Sequence, residues 1–337
     1  NFNIGIVELG TRFSSKISNK LTVGYSALRD FRTFSGNGGS IPFDDIGNGG
    51  YAADGSVINA NATLTSFGSE LFTAGNLLTT NIAQFSDDLT IFSGKHEFTI
   101  GTSNQVQSYT NGFAPNYNGI YIFNSAYDFL HDLPANQYAT RNSALPDGSF
   151  PFAKIKAGIY SLYAQDKFHV TDNFRLTYGL RADYDAFPTT LQANPNVTGI
   201  TFQQGIHVDP AVLPNNRVQL SPRIGFNWDV YGDGSTQVRG GSGLFSGSIP
   251  FVWISNQASN NGVLFGSYTV SKSATPNDPR LKFNPDPNAN RPAPGSVAAN
   301  TSYELDIADP NLKYPKIWRT NLAVDQKLPW GLIATIE

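Results

Sequence analysis

Apolar and polar residues alternate along several long stretches of this chain. In residues 174–186 every even-numbered residue is apolar, and every odd-numbered residue is polar or glycine. Residues 218–230 and 318–325 repeat the pattern with few exceptions. A period of two is that of a β-strand, whose successive side chains point to opposite faces. At about 12 residues, roughly twice the usual strand length, these runs predict long strands with one apolar face and one polar face.

The segments between the alternating runs are short and long in turn. Short polar turns are predicted near residues 15–19, 93–95, 171–173, 231–235 and 328–330, and long segments rich in Gly, Asn, Pro and Ser at about 34–76, 111–153, 188–216 and 248–313. Compact soluble domains rarely contain such long loops, whereas transmembrane β-barrels combine tight periplasmic turns with long extracellular loops. We therefore predict an all-β fold, in which residues 1–337 form roughly ten strands of one antiparallel transmembrane β-barrel domain.

Pro222 interrupts one alternating run on its apolar side. Proline has no backbone N–H to donate to a neighbouring strand, so within sheets it is confined to edges, strand starts and bulges. It predicts a bulge, an edge-like irregularity or the membrane boundary of its strand.

Composition favours a membrane-facing surface and excludes several chemistries. Charged residues are 15% of the chain and aromatic residues 13%, whereas soluble domains average about 25% charged residues. The net charge of −3 gives no overall basic excess, so no nucleic-acid partner is expected. Without Cys the chain has no disulfide and no cysteine nucleophile. It also has no Met and stops within an alternating run, and we interpret it as a piece of a longer protein.

Four stretches resemble the barrel strands of TonB-dependent outer-membrane receptors. They are residues 163–168 (YAQDKF), 176–183 (LTYGLRAD), 220–226 (LSPRIGF) and 238–245 (VRGGSGLF). Residues 314–330 (YPKIWRTNLAVDQKLPW) are similar to the large Oar-like receptors of Bacteroidetes. The resemblance covers residues 155 to 337 well, and the first third of the chain by architecture alone.

The resemblance implies a 22-stranded barrel with a plugged lumen, located in the outer membrane of a Gram-negative bacterium. Its plug domain, its TonB box and its C-terminal strands have no counterpart in this chain. The implied activity is uptake of a bulky ligand such as a peptide, a glycan or a chelate, with energy from TonB, ExbB and ExbD. The implied partners are outer-membrane lipid, the protein's own plug, the TonB complex and, as in SusC-like receptors, a surface lipoprotein.

Charged residues on the polar face of the long strands are the first group of candidate site residues. In a barrel they line the lumen and meet the plug, where arginine–carboxylate hydrogen bonds are strong; the alternative is simple ion pairing in a wet lumen. The group comprises Arg181, Asp183, Arg223, Arg239, Arg319 and Asp325.

Aromatic residues in the long loops are the second group, as candidates for ligand or partner contact. Packing of the loops on themselves is the alternative explanation. The group comprises Tyr117, Tyr121, Phe123, Tyr127, Phe251 and Trp253. Residues 248–258 are expected to form a short helix over the barrel mouth, with Pro250 in its first turn.

No motif indicates an enzyme, a cofactor or a metal site. Residues 239–247 are glycine-rich but lack the Lys-Ser/Thr of a phosphate-binding loop, and residues 44–54 are rich in Asp and Asn without calcium-loop spacing. The four His residues are scattered and form no HExxH motif. A passive porin-like channel, a β-rich hydrolase and a soluble β fold stay open as alternatives.

Overall fold

The computed structural model describes residues 1–33, 43–47, 50–51, 57–59, 64–298 and 303–337, with side chains outside 43–65. In chain order the strands are β1 (Phe2–Arg12), β2 (Ile17–Phe31), β3 (Phe43–Gly47), β4 (Gly50–Tyr51), β5 (Val57–Asn59), β6 (Leu64–Phe67), β7 (Leu77–Ser93), β8 (His96–Gly112), β9 (Ile120–Phe123), β10 (Gln137–Ser143), β11 (Ala153–His169), β12 (Phe174–Ala186), β13 (Arg217–Asp229), β14 (Thr236–Ser246), β15 (Phe265–Ser271), β16 (Lys316–Lys327) and β17 (Ile333–Ile336). The α-helices are α1 (Ala126–Leu130), α2 (Pro195–Thr198) and α3 (Phe251–Ser259).

Ten long strands form one antiparallel sheet in the order β1-β2-β7-β8-β11-β12-β13-β14-β16-β17. This confirms the predicted fold class and the number of strands. All five predicted short turns are present, as residues 13–16, 94–95, 170–173, 230–235 and 328–332, and they share one end of the sheet. The long connections, 32–76, 113–152, 187–216 and 247–315, share the other end.

The two faces of the sheet have the chemistry that the alternation predicts. On one face, apolar side chains such as Leu162 and Val218 stand exposed, at 69% and 65% of their maximum area. On the other face, rows of polar residues follow the strand register: Asp183 lies opposite Ser161, and Ser161 lies opposite Ser103. We call these the apolar face and the polar face. Exposure of so much apolar surface is tolerated where lipid covers it.

The described parts of the long connections are folded, and their main element is a second, five-stranded sheet in the order β15-β10-β9-β3-β6. Its strands come from three different connections, and a buried cluster around Tyr121, Tyr138 and Leu281 packs against it. A second cluster, with Ile155, Ile249 and Ile254, joins α3 to the polar face of β11. The loops therefore fold together and onto the polar side of the large sheet.

Helix α3 follows the expected position closely. It spans Phe251–Ser259, and Pro250 is the residue before its first turn rather than a residue within it. Asn111, on the polar face of β8, donates to Ser255 of α3 at 3.2 Å. The helix therefore lies against the polar face near the long-loop end.

Pro222 marks an irregularity, as predicted. Strand β13 is paired with β12 along residues 217–228, but its pairing with β14 begins at Arg223 opposite Gly243. Because Pro222 has no N–H to donate, the β13–β14 ladder ends next to it. Residues 217–222 and 244–246 therefore leave an unpaired seam between these two strands, towards the long loops.

None of the helices among the described residues is long and apolar enough to cross a membrane.

Candidate functional site

Arg181 and Asp183, on the polar face of β12, form an ion pair with Arg181 Nε 2.7 Å from Asp183 Oδ1. Ser161 of β11 bridges them, because it accepts from Arg181 Nη2 at 2.7 Å and donates to Asp183 Oδ1 at 2.6 Å. The Tyr163 ring lies 5.5 Å from the guanidinium carbon. The charge of Arg181 is thus compensated within the sheet.

Arg239 is compensated in a similar way across two strands. Its Nε lies 3.0 Å from Asp325 Oδ2 on β16, and its Nη2 lies 3.7 Å from the Glu337 side-chain carboxylate. Asp325 also accepts from Thr335 of β17 at 2.7 Å. Four of the six predicted lumen residues are therefore joined in two ion pairs.

Arg223 and Arg319 differ from the other two arginines. Neither side chain makes an ion pair or a hydrogen bond with any residue that the structure describes. Both lie opposite Gly243 in the register, one on each side, and Arg223 also lies opposite Gly179. Both arginines are exposed, and the ring of Phe245 lies over Gly243 between them.

Two cavities border Arg223. One, of about 320 Å³, lies on the polar face and extends from Arg181 and Arg223 to Ser248 at the long-loop end. The other, of about 720 Å³, lies around the glycines between Arg223 and Arg319, and residues of both faces line it. Arg181, Asp183, Arg223 and Arg319 therefore border two neighbouring cavities, while Arg239 and Asp325 lie nearer the short turns.

Three of the predicted loop aromatics lie inside the loop packing. Tyr121 and Phe123 are 1% and 2% exposed in the cluster beside the five-stranded sheet, and Tyr117 packs edge-on against Phe150. Burial at these positions favours the alternative explanation, loop self-packing, and removes them from any ligand-contacting surface in this conformation.

The other three loop aromatics are more accessible. Tyr127 stacks on His131 with ring centres 3.9 Å apart, and Phe251 stacks on Tyr109 at 4.5 Å. Trp253 is 52% exposed and borders a cavity of about 300 Å³. Among these candidates, Trp253 presents the most surface to a ligand.

Gln219 and Asp185 also line the first cavity, and neither was among the predicted site residues. Gln219, 3% exposed, donates its Nε2 to Asp185 Oδ2 at 2.7 Å, while its Oε1 has no hydrogen-bond partner among the described residues. Asp185 is also buried and has no ion-pair partner within the described part of the chain. Both residues occupy polar, odd-numbered positions of alternating runs. That position within the alternation is the feature of the sequence that could have identified them.

The Asp- and Asn-rich segment 44–54, considered above as a loop without a metal, lies outside the described side chains. Elsewhere, among the residues that the structure does describe, no three His, Asp or Glu side chains converge in a metal-binding group.

A long antiparallel sheet with one apolar face, one polar face and connections of unequal length at its two ends defines the wall of a transmembrane β-barrel. The sequence agrees with this class. Over residues 1–337 it matches the family described as outer membrane beta barrel domain, and the chain belongs to that family. Its location is the outer membrane of a Gram-negative bacterium.

Similar folds occur among solved outer-membrane proteins. The outer membrane transporter YddB from Escherichia coli matches with a TM-score of 0.55 and 13% identity, over 97% of this chain and 32% of that one. The ferric-catecholate import receptor Fiu from E. coli K12 (0.38, 13%, over 73% and 36%) and the RagAB peptide transporter (0.28, 11%, over 96% and 38%) also match. The chain spans about a third of the length of these structures. No curated protein sequence matches it significantly.

Proposed function

We propose that the complete protein is a TonB-dependent outer-membrane transporter of the Oar-like type, which takes up a bulky ligand through its barrel lumen. The observation that carries this proposal is the chemistry of the polar face. It holds ordered ion pairs, two arginines without ion-pair partners among the described residues and a cavity that borders Arg223, and folded loops lie over its long-loop end. The polar face can therefore bind other polar or charged groups as well as water.

In this proposal, the apolar face contacts lipid and the long loops lie outside the cell. The lumen and a plug domain supplied by another part of the protein are faced by Arg181, Asp183, Arg223, Arg239, Arg319 and Asp325. Energy comes from TonB with ExbB and ExbD, and a surface lipoprotein is a further candidate partner at the loops. The protein acts as a transporter and not as an enzyme. The similarity of fold to YddB, itself an outer membrane transporter, supports this proposal.

Planar-bilayer conductance of the complete protein tests the proposal. A plugged barrel gives no steady conductance, and mild urea treatment that unfolds a plug opens large channels. Binding of the purified TonB C-terminal domain to the complete protein in detergent is the second measurement. Stable open channels in untreated protein, or no binding of TonB, would show a passive channel instead.

A further inference from the structure

The seam between β13 and β14 opens into the smaller cavity on the polar face. On the short-turn side of the seam, β13 is paired with β14 from Arg223 to Asp229. Along the seam itself, side-chain hydrogen bonds take the place of backbone pairing. Ser221 Oγ donates to Ser246 Oγ at 3.1 Å, and Gln219 Nε2 lies 3.4 Å from the Gly247 carbonyl oxygen. Side-chain hydrogen bonds between the two strands therefore fix the shape of the cavity in the sheet.

The cavity contains polar groups that lack partners. Gln219 Oε1 is a buried acceptor without a donor among the described residues. The amide orientation is fixed, because Nε2 donates to the Asp185 carboxylate at 2.7 Å. A buried acceptor left unsatisfied costs about 1–3 kcal/mol. Oε1 has almost no accessible surface in this conformation, so a ligand N–H or O–H group recovers this free energy when a small movement of the Gln219 side chain exposes the oxygen.

The charges of the cavity are arranged in order along its length. Arg223, at its deeper end, has no ion-pair partner among the described residues, and neither does Asp185 near the long loops, which accepts hydrogen bonds from Gln219 and Ser248. The charge of Asp183 between them is neutralised by Arg181. This order matches a ligand with a negative end directed into the barrel and a positive end directed towards the mouth.

The spacing limits the size of that ligand. Gly179, opposite Arg223, is six residues from Asp185 on β12, or about 20 Å along an extended strand. The Arg223 and Asp185 side chains shorten the gap to be bridged. An extended peptide of three to five residues spans roughly 10–18 Å.

We propose that this cavity binds a short peptide with free termini: its C-terminal carboxylate on Arg223, a main-chain N–H on Gln219 Oε1, and its amino end towards Asp185. The inference rests on the proposed function, since the peptide reaches the cavity through the lumen. The ring of Phe245, which lies over Gly243, forms an apolar side of the cavity beside Arg223. A polyanionic ligand fits less well, because it would place negative charge next to Asp185.

Equilibrium dialysis of the complete protein in detergent tests this assignment. The probes are a random-sequence tetrapeptide pool with free carboxyl termini and the same pool with C-terminal amides. We expect roughly tenfold or greater preference for the free acids, since a carboxylate–arginine hydrogen bond is lost on amidation. In Arg223→Gln the preference falls to about one, and in Arg223→Lys it is intermediate.

Arg175→Gln is the matched control. Arg175 lies on the polar face of β12 near a short turn and outside both cavities that border Arg223, so this variant keeps the preference. Heat-modifiable migration on a gel verifies that each variant is folded. Equal retention of the two pools by the unaltered protein, or an unchanged preference in folded Arg223→Gln, overturns the assignment.

The outcome is separable from the proposed function. Dialysis needs neither TonB nor a proton gradient, whereas the conductance measurement needs no ligand. If the protein prefers free acids but forms open channels, the peptide site is supported and active transport is ruled out. If the protein is closed and binds TonB but shows no preference for free acids, active transport is supported and the peptide site is ruled out.

Discussion

Arg181 and Arg223 lie on the same face of neighbouring strands, yet they are in opposite electrostatic states. Arg181 has a carboxylate two positions along its own strand and a serine bridge from β11. Arg223 has glycines opposite it on both sides and no carboxylate partner among the described residues. Neighbouring side chains, and not strand position alone, therefore decide which arginine is free to bind a ligand.

A titrating pair in the long loops gives a prediction at the same scale. The Arg280 guanidinium hydrogen-bonds the Asp278 carboxylate and lowers the pKa of Asp278 to about 2, from its ordinary value of 3.8. Arg280 also lies over the Tyr268 ring, 4.8 Å from its centre. Because the folded pKa is depressed, the pair contributes stability above about pH 4, which is lost as pH falls through about 2.

Hydrogen exchange measured by mass spectrometry over residues 275–285 checks this prediction. In the unaltered protein, protection of the segment decreases between pH 4 and pH 2 after correction for the intrinsic exchange rate. Asp278→Asn removes most of that decrease. The same pH dependence in the variant and the unaltered protein would contradict the role assigned to this pair.

The face of each lumen residue could be predicted from the sequence, but its partner could not. Parity within an alternating run places Arg181, Arg223 and Gln219 on one side of the sheet. Pairing depends on the register between strands, as for Arg239 on β14 and Asp325 on β16, which are 86 residues apart. A single sequence contains no direct signal for such contacts.

At the scale of elements, the long strands could be predicted from the local alternation of apolar and polar residues, whereas the five-stranded sheet of the long connections could not. Strand β9 has four residues, IYIF, that are apolar at every position, so no alternation marks it. Its partner β10 belongs to the same connection, but its other partner β3 belongs to a different one and pairs with it in parallel. Such non-local pairing explains why Tyr121 and Phe123 could be predicted as loop aromatics but not as a buried core.

An added charge is expected to lower the stability of the protein much more on the apolar face than on the polar face. Leu162→Arg places a cation on the apolar face and is expected to cost about 2–4 kcal/mol of stability near the bilayer midplane. Ser86→Arg, on the polar face between Thr22 and Ser103, is the matched control and should cost much less. Urea unfolding of the complete protein in lipid vesicles measures both. Equal losses would contradict the assignment of faces.

At the scale of the whole molecule, the sheet separates two environments and its two ends differ. Short turns tie neighbouring strands at one end, while the long connections at the other end fold together and pack α3 against the polar face. A barrel built from such a wall has a mouth narrowed by its own loops. Helix α3 presents Trp253, which is 52% exposed, at this end.

The most direct test of this architecture labels single cysteines in intact cells, since residues 1–337 contain no Cys. Ser273→Cys lies in a long connection and Ser15→Cys in a short turn, and both positions are exposed. With the unaltered complete protein as background, a membrane-impermeant maleimide should label Ser273→Cys in intact cells, and Ser15→Cys only after the outer membrane is permeabilised. Labelling of Ser15→Cys in intact cells, or of Ser273→Cys only after permeabilisation, would contradict the account.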